Sequence, residues 1–146
     1  MSANQPRLTR QQANLLLADG VQADVRDSAE VLALLERQFD AALRHRSSEL
    51  TGLAERLTPL LDAMEARRQQ RVSLVRALLG ERGSMDDYIA GLAEPARGAL
   101  AAAWSDLEST VQACKAATTR NGSLLAEQYT VMQRVLHGED DTYAPR

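Results

Sequence analysis

Aromatic side chains are nearly absent from this chain. They make up 3% of its 146 residues, with Phe39 and Trp104 each the single residue of its kind. β-Branched residues are also sparse, and no stretch of useful length alternates apolar with polar residues. Both absences argue against sheet and leave helix as the expected element. Cys114 is the sole cysteine, which excludes an internal disulfide and fits a reducing compartment. The formal net charge is -3, so no strongly basic surface invites nucleic acid. No apolar run approaches the roughly 18 residues of a membrane span. The start, Met1 to Arg7, is polar and lacks the apolar region of a signal peptide, so the expected location is cytoplasmic, without membrane insertion.

Catalytic signatures are missing too. There is no nucleophile elbow, phosphate-binding glycine loop or dinucleotide fingerprint. His45 and His137 have no Cys or His at ligand spacing, and a di-iron bundle would need Glu-x-x-His pairs that do not occur. The expectation is a protein without enzymatic activity, cofactor or metal.

What is present is leucine and alanine in long three-four periods. Residues 9–45 read as a first helix, with an irregularity at Gly20; Asp27 or Ser28 could cap a restart there. Its stripe runs Val25, Ala29, Leu32, Leu35, Phe39, Ala42. The polar stretch Arg44–Glu49 separates it from a second helix over 48–79, with Ser47 or Ser48 as N-cap. A continuous helix from 27 to 79 is the alternative, since the period survives across Arg46. The second stripe is Leu50, Leu53, Leu57, Leu60, Met64, Arg67, Arg71, Leu74, Leu78. Pro59 lies within it and should kink the helix or mark its true start. Gly80 and Gly83 stop the helix. Ser84 caps a short one over 85–92, and Pro95 opens a last helix over 95–137, with Gly138 as its stop. Residues 138–146 form an acidic tail. The fold expected is all-α: an elongated antiparallel three-helix bundle, a coiled-coil-like hairpin plus a long C-terminal helix, in one domain spanning 1–146.

The last helix carries the informative features. Its stripe runs Leu100, Ala103, Leu107, Val111, Cys114, Thr118, Asn121, Leu125, Gln128, Met132, Val135. It passes through Asn121-Gly122 without losing phase, although a helical glycine costs roughly 1 kcal/mol relative to alanine. Such a glycine suits close approach of another chain. Thr118, Asn121 and Gln128 either fix helix register from within or line a groove. In the C-terminal half apolar positions double: Leu124 with Leu125, Val131 with Met132, Val135 with Leu136. The second strip is either an interaction surface for an amphipathic helix or is buried in the bundle or a homodimer. Arg67, Arg68 and Arg71 are a basic cluster, pairing with Asp62, Glu65 or acids of other helices, or meeting an acidic partner. Trp104 belongs to the core or closes the bundle end.

Taken in order, these elements resemble the FlgN family of flagellar type III export chaperones, over nearly the whole chain. The hairpin carries Leu34-Leu35-Glu36, Ala42-Leu43, Leu60-Leu61 and Met64, followed by the arginine-rich Arg67–Arg71. Trp104 then precedes an Asn-x-x-Asn-Gly-x-Leu-Leu element, here Thr118-x-x-Asn121-Gly122-x-Leu124-Leu125, with Thr118 in place of the first Asn. Tyr143 sits in an acidic tail. The resemblance implies a cytoplasmic chaperone that binds the C-terminal helical segments of the hook-filament junction proteins FlgK and FlgL. It implies that premature association is prevented and that the clients pass to the export gate protein FlhA. On that likeness the client site comprises Asn121, Gly122, Leu124, Leu125, Gln128, Met132, Val135 and Leu136, and Tyr143 contacts the gate. The alternative is a coiled-coil scaffold that homodimerises.

Overall fold

Helix periodicity, capping residues and two glycines account for the element order. The computed structural model describes residues 8–143, with side chains through His137. It contains α1 (Arg10–Leu43), α2 (Ser47–Leu79), α3 (Met85–Ala90) and α4 (Ala96–Tyr143). Thr9 opens α1 with a capping box: its hydroxyl accepts from the Gln12 amide while the Gln12 side chain accepts from the Thr9 amide. Ser84 and Asp87 repeat that arrangement at α3. Both satisfy donors that a bare helix start leaves open.

The first turn settles the hairpin against a continuous helix. His45 takes φ 56, and the Arg46 amide reaches back to the Ala41 carbonyl, the bond that closes a Schellman-type helix end. The serine cap expected for α2 is not made. Arg46 is the capping position and contributes no side-chain bond, because Ser47 and Ser48 already lie in the helix. α1 runs unbroken through Gly20, so neither Asp27 nor Ser28 caps anything. α2 likewise passes through Pro59 rather than starting there. At the second turn Gly80 holds φ +90, and a Cβ on Gly83 would sit 2.5 Å from that of Leu79. Only glycine closes this bend. α4 does not stop at Gly138 but continues to Tyr143. A helical glycine costs only roughly 1 kcal/mol, and no proline follows until Pro145. Residues 144–146 of the expected tail, and the side chain of Tyr143, lie outside the described residues.

α1 is the central helix. α2 packs on it antiparallel and α4 packs on it parallel, while no Cα of α2 comes within 8 Å of one in α4. Two apolar cores result. One joins Leu17 and Val21 to Val75, Tyr88, Ile89, Leu100 and Leu107. The other joins Val31, Leu34, Leu35 and Ala41 to Leu53, Leu57 and Ala117. Between them lies a charged layer: the buried Asp24 carboxylate accepts from Arg67 and Arg71, and Arg67 also pairs with Asp27. Arg71 lies 5.2 Å from the centre of the half-buried Trp104 ring.

The α1 stripe therefore differs from the sequence expectation. Its buried face is Leu17, Val21, Asp24, Ser28, Val31 and Leu35, one residue out of phase with the expected stripe over its first half. Two polar residues occupy the seam, so a reading guided by hydropathy steps around them. In α2 the expected stripe, with Arg67 and Arg71 included, is the face turned to α1.

Candidate functional site

Three polar rungs fix how α4 lies on α1. Cys114 Sγ–H donates to the Ser28 carbonyl at 3.5 Å, Asn121 Nδ2 to the Leu35 carbonyl at 2.8 Å, and Gln128 Nε2 to the Ala42 carbonyl at 2.8 Å. Each pair is 86 apart in sequence and the rungs recur every seven residues, the repeat of a parallel coiled-coil seam. Asn121 is 2% exposed and also donates to Gln38 Oε1. Its own Oδ1 accepts from the Arg120 guanidinium, which stacks 4.0 Å from the Phe39 ring centre and reaches Glu36. Burial among these rungs raises the Cys114 thiol pKa above its ordinary value.

The register has a direct consequence. α1 ends at Leu43, one residue past the Gln128 rung, and α4 continues to Tyr143. At 1.5 Å per residue, the segment from Tyr129 on projects about 22 Å past the body. This arm carries two apolar strips. One prolongs the seam that α1 covers lower down, through Leu124, Val131 and Val135. The other points outward, through Leu125, Tyr129, Met132 and Leu136. Val131, Met132, Val135 and Leu136 are 54–61% exposed. A fully buried side chain of this kind contributes about 1.5–3 kcal/mol, so covering these four is worth on the order of 5 kcal/mol. At the root of the arm a concavity of about 790 Å³ is lined by His45, Leu124, Gln128, Val131 and Arg134.

The structure thus divides the expected client residues. Leu124, Leu125, Met132, Val135 and Leu136 gather on or beside the arm, and Gly122 is exposed at its approach. Asn121 faces α1 instead and anchors the arm, whereas Gln128 both bonds the end of α1 and lines the concavity at the arm's root. Tyr129 was not among the expected site residues, and Val131, read as part of the second apolar strip, was not assigned to the client site, although their exposure of 64% and 56% matches that of their neighbours. The signal was available: Val131 is seven residues after Leu124, and Tyr129 four after Leu125. The basic cluster resolves internally, with Arg67 and Arg71 on Asp24 and Arg68 on Glu65.

Among the described residues no helix is long and apolar enough to cross a membrane, and no three His, Cys, Asp or Glu side chains gather as a metal site. A helical body with a projecting amphipathic arm presents an exposed apolar face of the kind against which amphipathic helices dock. The chain belongs to the FlgN family: the family described as FlgN protein matches residues 17–137, which takes in α1 from Leu17 on, α2, α3 and α4 up to His137. This is a family of flagellar export chaperones whose members bind flagellar proteins. Comparison with curated proteins and with solved structures gives no match.

Proposed function

We propose that this chain is a cytoplasmic chaperone for the hook-filament junction proteins, binding the C-terminal helical segments of FlgK-like and FlgL-like clients along the arm of α4. The observation that carries the reading is the loss of α1 at Leu43 while the apolar seam of α4 continues. A client helix takes the place that α1 holds lower down, packing on Leu124, Val131 and Val135, and Leu125, Met132 and Leu136 widen the contact. A client segment held this way has its own apolar face covered and is kept from premature association. Release needs no nucleotide; it follows from competition between affinities at the export gate. Tyr143, which matches the family's gate-contacting tyrosine, is the contact for an FlhA-like partner.

The test is titration calorimetry against a peptide of the C-terminal helical region of the FlgK-like protein of the same genome. The expected result is 1:1 binding at micromolar Kd or tighter, lost in Val135→Asp and weakened in Met132→Asp, with helix content retained. Unchanged binding in both variants contradicts the proposal. Tyr143→Ala should keep the client affinity and lower affinity for the cytoplasmic part of the gate protein.

A further inference from the structure

We propose that the outward strip of α4 is the contact surface for a second copy of this chain, paired antiparallel about a two-fold axis between Gly122 and Leu125. From Val111 the strip recurs every seven residues through Thr118, Leu125 and Met132. Gly122, Tyr129 and Leu136 fill the alternate steps, which makes it a second coiled-coil seam beside the one α1 covers. Leu125, Tyr129, Met132 and Leu136 are 38%, 64%, 61% and 54% exposed. Between Val111 and Leu136 the strip bears one charge, Lys115, which makes no ion pair among the described residues.

Where this strip passes the body it forms one wall of a groove between α2 and α4. Leu61 and Met64 stand on the opposite wall, Val31 and Leu35 form the floor, and the volume is about 560 Å³. Leu61 is 50% exposed there. The Cα atoms of the two helices that frame the groove stay more than 8 Å apart, and although Arg71 crosses to Trp104 at one end, a further helix can lay a face into it beside Leu61 and Met64. The chain's own arm cannot enter it, because the Gln128 rung directs the arm away along the bundle axis. The arm of another copy can. From Trp104 to Thr118 the open side of α4 spans as many residues as the arm from Tyr129 to Tyr143. The midpoints of these two segments, residues 111 and 136, are symmetric about the step between Gly122 and Leu125. A two-fold axis at that step therefore seats each arm in the other copy's groove at once, a closed isologous arrangement.

The residues brought together fit. Val111 meets the partner's Leu136, and Thr118 meets the partner's Tyr129. At the axis the partner's Leu125 lies on Gly122, whose absent side chain leaves open space, with nothing within 4 Å of a built Cβ. A glycine that nothing in the monomer requires, in mid-helix, is accounted for by this close approach. Lys115 lays its stem along the partner's Met132 and keeps its ammonium at the groove rim. Two arms in two grooves supply a pair of four-turn contacts toward the roughly 1,200–2,000 Å² that a stable interface buries. The inference does not rest on the client reading. If both hold, the self-paired form covers Leu125, Met132 and Leu136 until a client competes for them.

Sedimentation velocity of the full chain at tens of micromolar tests it. The expected result is a dimer that becomes monomeric in Gly122→Gln and in Leu61→Glu, each with wild-type helix content. Gln favours helix over Gly, so Gly122→Gln should melt no lower than the wild-type monomer, and its loss of dimer cannot come from misfolding. Spin labels at Lys115→Cys in a Cys114→Ser background should lie at least about 26 Å apart in the dimer, from 17 residues of axial offset at 1.5 Å each. A monomeric wild type, a dimer unchanged by both substitutions, or labels side by side as in a parallel pair would overturn the proposal. Client calorimetry is a separate readout, so failure here leaves the chaperone reading standing.

Discussion

Replacing Asp24 by Asn should destabilise the body far more than any surface change. Asp24 is 1% exposed and receives charge-assisted bonds from two arginines, with the Arg71 contact at 2.8 Å. Arg67 keeps Asp27 after the change. Among the described residues Arg71, whose side chain is 11% exposed, keeps only the face of Trp104. The substitution therefore removes a bond worth about 1.5–3 kcal/mol and leaves a mostly buried cation without its counter-charge. Breaking a buried pair from one side costs about 3–5 kcal/mol. Because Arg67 retains a partner, the lower end applies, about 3 kcal/mol. For a chain of this size that is a fall in Tm of roughly 6–12 °C. Thermal and urea unfolding followed by circular dichroism would measure it. The triple variant Asp24→Leu, Arg67→Leu, Arg71→Leu should recover most of the loss, since an apolar layer joining two cores replaces an ionic one. If Asp24→Asn melts within about 1 °C of wild type, the layer is more hydrated than its burial implies, and the reasoning fails.

Two further outcomes follow from the same geometry. Asn121→Leu removes two bonds to α1 and leaves the Leu35 carbonyl and Gln38 to find other partners, at a cost of about 1–3 kcal/mol, read as a lower urea midpoint with helix content kept. Glu65 pairs on the surface with Arg68 and Gln69, and its hydrogen bond from Arg68 is the main cause that holds its carboxyl at about 2, below the ordinary 4.5. An acid depressed in the folded state stabilises it above the unfolded value and loses that contribution as pH falls. NMR titration should find Glu65 protonating near pH 2, and Arg68→Ala should return it toward 4.5.

How far the sequence disclosed this structure depended on which side chains sat in the seams. α2 was legible because its inward face is a plain leucine period, and Arg67 and Arg71 followed that period even though they are charged. α1 was misread by one residue because Asp24 and Ser28 hold seam positions where hydropathy points elsewhere. Asp24 is buried against arginines more than forty residues away and Ser28 against Cys114 of α4, which local pattern cannot register. In α4 the expected stripe mixed two faces. Leu107, Cys114, Asn121 and Gln128 look to α1, whereas Thr118, Leu125 and Met132 belong to the outward strip. Doubled apolar residues announced the second face, but only the tertiary register, with α1 ending opposite Gln128, turns it into an arm. The helix ends were sharp where glycine or a capping box set them. At Ser47 a capping residue type was present and unused, because the left-handed His45 had already closed the turn.

The account's central claim is that the projecting part of α4 is where a client helix is held. The most direct measurement compares client-peptide affinity, by calorimetry, between the full chain and a chain ending at Gln128. Both cores, the charged layer and all three rungs to α1 remain in the shorter chain, so its body should unfold at nearly the same urea midpoint. The account predicts at least a hundredfold loss of affinity in the shortened chain. Affinity within a few-fold of the full chain would place the client on the body instead and contradict the account.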